Sequence, residues 1–185
     1  HNSCKKHVLS SLLRASVPRE TDTAEALKAA VNGRIDDKRL LEAALYSPSW
    51  LPIVAKLLNW KGLESAAWYF HAHVNESISD EKMAVITRYG AFDVNWFNDA
   101  YKTLGKERFE LLYDCAKYIT SGANHRRAQL FADATLGQLK ATKAFEKDIN
   151  DKRSKDKLLS YSLIPLGKKS QEEALKRYDL LQAFL

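Results

Sequence analysis

Apolar side chains recur every three to four positions along most of this chain, a spacing that predicts amphipathic helices. No segment reads as a convincing strand. Between residues 5 and 16, Val8, Leu9, Leu12 and Leu13 form one such stripe. Asp22 or Thr23 is placed to cap a second helix, with Ala24, Leu27, Ala30 and Val31 facing inward. Asp36 is placed to cap a third, carrying Leu40, Leu41, Ala44 and Leu45. Pro48 suits the first turn of a fourth, which runs to Asn59 through Leu51, Val54, Ala55 and Leu58. The next runs from Leu63 to Val74 through Ala66, Ala67 and Phe70.

The same period continues in the second half. Acids after Ser79 open a helix bearing Met83, Val85, Ile86 and Tyr89. Asp93 precedes Trp96, Phe97, Ala100 and Leu104, and residues 106–119 present Phe109, Leu112, Ala116 and Ile119. After Gly122 come Ala128, Phe131, Ala132 and Thr135, then Leu139, Thr142, Phe145 and Ile149. Leu158, Leu159, Ser162 and Leu163 form an apolar face that Pro165 ends. Ser170 and Glu173 have the spacing of a capping box, and Ala174, Leu175, Tyr178, Leu181 and Leu185 carry the last helix.

Seven glycines punctuate this pattern, at separations of 29, 28, 15, 17, 15 and 30 residues. A helix of three to four turns with a short loop needs about fifteen residues. The expectation is therefore an all-α fold of about eleven short antiparallel helices, stacked as an α-α superhelix or gathered in a compact bundle. The spacing near thirty favours the superhelix, of a degenerate HEAT-like kind, since tetratricopeptide and ankyrin signatures are missing. The chain opens at His1 without a methionine and closes at Leu185 inside a helical pattern. Residues 1–185 are thus expected to be one all-helical domain cut from a larger protein.

Composition changes this picture little. Hydrophobic residues make up 45% and charged residues 28%, which supports a folded core. Two cysteines, Cys4 and Cys115, match no disulfide framework or zinc motif and suit a reducing, cytoplasmic compartment. No apolar run is long enough to cross a bilayer, so no membrane role is expected. The net charge of +6 is concentrated. Residues 138–169 carry nine basic and four acidic side chains. Such a stretch can attract phosphate, or it can be the solvated face of a long helix.

Candidate chemistry is sparse. His71 and His73 resemble a metal pair, but helical residues two apart point to nearly opposite faces and cannot grip one ion. Asn124-His125-Arg126-Arg127 opens a predicted helix, where free amides and two guanidinium groups could hold a phosphate; a plain surface cluster is the better explanation. Trp50, Trp60, Trp68, Tyr69 and Phe70 crowd one region, as a partner-binding patch if exposed or as helix packing if buried. Trp96 and Phe97 carry the same ambiguity. Lys140, Lys143 and Lys147 fall on one side of a predicted helix, and Lys152, Arg153, Lys155 and Lys157 extend the charge, diluted by Asp148, Asp151 and Asp156. Asn75-Glu76-Ser77 fits the glycosylation sequon, a tripeptide common by chance. No phosphate-cradling loop or nucleophile elbow occurs, and Cys115 sits among apolar neighbours. No cofactor or metal is expected. Were there catalysis, His71, His73, His125 and Asp133 are the residues to inspect.

The run Leu159-Ser160-Tyr161-Ser162-Leu163-Ile164-Pro165-Leu166-Gly167, followed by Leu175, Arg177-Tyr178 and Leu180-Leu181-Gln182, resembles a segment of large, uncharacterised MolR-like bacterial proteins rich in helical repeats. The resemblance implies a bacterial cytoplasmic scaffold and assigns no catalytic residue. The functional expectation is a protein-interaction scaffold whose partner is another protein or another domain of the same chain. The alternative is a helical domain binding nucleic acid through residues 138–169 with Arg126 and Arg127. The interaction surface is expected among Trp50, Trp60, Trp68, Arg126, Arg127, Lys140, Lys143, Lys147 and Arg153.

Overall fold

The computed structural model describes residues 15–74, 94–119 and 125–185, together with Asp80 and Ala84. Several expectations fall outside these residues: Cys4, the stripe Val8 to Leu13, the sequon at 75–77, the helix through Met83 and Tyr89, the cap at Asp93, Asn124, and the glycines at 90 and 122. The side chain of Trp96 is outside them too. Among the described residues every regular element is a helix and none is a strand. The helices are α1 (Ala24–Val31), α2 (Asp37–Tyr46), α3 (Leu51–Leu58), α4 (Leu63–Val74), α5 (Val94–Leu104), α6 (Lys106–Cys115), α7 (His125–Thr135), α8 (Lys143–Asp151), α9 (Lys155–Leu163) and α10 (Ser170–Phe184). Single 3₁₀ turns lie at Pro48–Trp50 and Ala116–Tyr118. The protein is all-α.

Side-chain caps explain where several helices begin, because each supplies an acceptor to an otherwise unsatisfied first-turn amide. Thr23 accepts from the Ala26 amide at 3.1 Å. Its neighbour Asp22 turns back to accept from the Arg19 amide at 2.8 Å. Asp36 accepts from the Arg39 amide, Thr142 from Phe145 and Ser154 from Lys157. Asn32 and Asn59 end α1 and α3 in the left-handed conformation, with φ of 39° and 53°. Gly62 enters α4 at φ +83°, where a Cβ would meet the Ala100 carbonyl oxygen at 3.2 Å. A glycine there lets α4 and α5 approach closely.

Three local expectations need correction. Pro48 starts a 3₁₀ turn, and the α-helix itself begins only at Leu51. The basic segment is not one long helix: α8 starts at Lys143 and stops at Asp151, and Arg153 adopts φ 47° before Ser154 caps α9. The capping box does not form either. Ser170 is already inside α10, Lys169 precedes it without a side-chain cap, and Glu173 accepts instead from the Gly167 amide at 2.8 Å.

The chain divides into two compact units, His1–His125 and Arg126–Leu185. In the first, α3 packs against α1, α2 and α4, while α6 packs against α2 and α5. Its centre is aromatic: Phe97 and Phe109 meet edge to face at 5.7 Å, and Phe70 lies 5.7 Å from Phe109. Tyr69 stacks obliquely on Phe97 at 4.3 Å. Leu41, Leu45, Leu51, Leu63 and Leu112 are fully buried in this unit. In the second unit α8, α9 and α10 pack on one another. Ala134, Ile149, Tyr161, Ile164 and Phe184 form its core, with Leu139, Phe145, Leu158, Leu163 and Leu180 against them.

Candidate interaction surface

Helix α10 has apolar residues on two opposite sides. Leu180 and Phe184, one turn apart, face the core of the second unit. The guanidinium of Arg177, one turn before Leu181, donates to the Ile164 carbonyl at 2.6 Å and lies over the Tyr161 ring at 5.2 Å. Arg153 covers the Phe184 ring from outside at 4.5 Å. These contacts hold the inner face. Most of the residues read from sequence as carrying this helix point the other way, with Leu181 at the edge between the two faces. Leu175 is 63% exposed, Tyr178 58%, Leu181 41% and Leu185 86%. Gln171, Ala174 and Gln182 are exposed with them. Positions 171, 174, 175, 178, 181, 182 and 185 lie on one side of a helix, and none is charged. The result is an uncharged, largely apolar stripe along the whole of α10, facing water.

The basic segment divides by what its charges already touch. Asp148 is held between Lys152 and Lys157. These two ammonium groups, Lys157 first, keep its carboxyl below the usual aspartate range. Asp156 pairs with Arg127 at 2.9 Å. Glu146 accepts from Tyr161 at 2.8 Å and pairs with Lys176 at 3.2 Å. Lys140, Lys143 and Lys147 are exposed, and no ion pair joins them to a carboxylate among the described residues. Lys143 and Lys147 are one turn apart on α8, whereas Lys140 precedes that helix.

The remaining candidates go mostly into packing. Trp68 is only 8% exposed and lies against His71 at 5.0 Å. His73 lies against Tyr69 at 4.5 Å. Trp50 is half-buried and donates to Ser16 Oγ at 3.0 Å. Trp60 is half-buried beneath the Arg108 guanidinium at 5.2 Å. Arg127 pairs with Asp156 and lies over Phe131 at 5.4 Å, and Arg126 is exposed beside it. His125 opens α7, and Asp133 lies more than two turns further along it. No group of three or more His, Cys, Asp or Glu placed to hold a metal occurs among the described residues. Burial pushes the Cys115 thiol up to about 11, as expected of an inert sulfur in a core. A shallow cleft between α3 and α4, lined by Lys56, Trp60, Lys61 and Ser65, occupies about 370 Å³. Lys56 there is engaged by Glu25 at 3.3 Å. No described helix is long and apolar enough to cross a membrane.

Sequence reasoning missed the outward stripe as a surface. Its signal was present: two apolar stripes on one helix, Leu180 and Phe184 against Leu175, Tyr178 and Leu181.

No curated protein and no solved structure matches the chain. A family defined only as one of unknown function matches it over residues 1–185. The all-helical chain with the two-faced last helix therefore belongs to that family of unknown function, DUF5724.

Proposed function

We propose that the chain is a helical-repeat scaffold that holds a protein partner, or another segment of its own polypeptide, against the outer face of α10. One observation supports this reading above the rest: α10 exposes an uncharged apolar stripe while its opposite side is fixed in the core. A helix apolar on two sides is suited to the interior of a stack, where neighbours cover both. Contiguous exposed apolar surface of this kind commonly marks a contact site. The bacterial, cytoplasmic setting belongs to the same proposal and rests on the resemblance of the segment 159–182 to MolR-like proteins.

The test is capture from source cells with the wild-type chain and with Tyr178→Asp as baits. Species recovered by the wild type are expected to fall roughly tenfold or more with the variant, as for a charge placed in an apolar contact. Equal recovery by both baits, or none by either, would count against the reading.

A second reading is favoured by the charge pairing in the second unit. Asp148, Asp156 and Glu146 are tied up by other cations, no ion pair joins Lys140, Lys143 or Lys147 to a carboxylate among the described residues, and of the segment's acids Asp151, one turn from Lys147, is left exposed. These three lysines, with Arg126, are the groups that would meet phosphates. Such binding weakens steeply with salt. A gel shift at low salt, abolished by Lys143→Glu with Lys147→Glu, is its expected signature; no retardation at low salt disposes of it.

A further inference from the structure

We draw no further inference here: the strongest candidate, the outward apolar stripe of α10 around Leu175 and Tyr178, belongs to the surface already described, and nothing in the structure shows what covers it.

Discussion

Tyr161 shows how a single residue can combine core and polar roles. Its ring is buried beside Phe145, at 6.2 Å, while its hydroxyl donates to Glu146. Burial first, and the bond to Glu146 second, push its pKa up to about 12. A group whose folded pKa lies above its unfolded value stabilises the fold below the unfolded pKa, near 10 for tyrosine. That contribution is lost as pH rises through about 12. The second unit should therefore weaken across this alkaline window. Burial raises the Tyr118 pKa as well, so tyrosinate absorbance of the folded chain should show a late-titrating fraction that Tyr161→Phe reduces by one ring. A wild-type titration with every tyrosine near 10 would rule this out. None of this was legible in the sequence. Tyr161 stood among Leu158, Leu159, Ser162 and Leu163 as one more position, and Leu159 is in fact exposed while Ser160 and Tyr161 are buried.

Among elements, existence was easier to read than orientation. The helix over 63–74 was bounded as found, Asp36 was identified as a cap and Thr23 as one of two candidates beside Asp22, because a capping side chain and an apolar period are both local signals. The break between α8 and α9 was missed because Lys152, Arg153 and Lys155 carry the basic composition across it; Ser154 followed by Asp156 marked the new start. For α10 the period was right and the face was wrong. Periodicity reports that a stripe exists, but two stripes on one helix leave the choice of core to tertiary contacts. The corrected orientation predicts opposite outcomes for two truncations on this helix. Phe184→Ala removes a core ring and should cost about 3 kcal/mol in chemical denaturation. Leu175→Ala, on the exposed side, should change stability by less than about 0.5 kcal/mol in dilute, monomeric solution. Equal losses would mean that the outer face is packed. The candidate surface list had the same weakness: Trp68 and Arg127 were chosen by type, and type does not show that one is buried and the other paired to Asp156.

On the scale of the molecule, each compact unit has its own core, and the residues that report on them are unevenly shared. Trp50, Trp60, Trp68 and Trp96 all precede the division at His125, and the segment Arg126–Leu185 contains no tryptophan. Indole emission is thus blind to the unit that carries α10, whereas far-ultraviolet dichroism sees helices in both. Ile149 is fully buried in the second core, so Ile149→Ala should destabilise that unit by about 2–5 kcal/mol. Its effect is expected in the dichroism transition, while the emission midpoint stays where it was. Coincident shifts in both probes would instead mean that the chain melts as one cooperative body. The distribution of four indoles thereby gives the protein a built-in optical label for one half of itself, with no dye or engineered fluorophore required.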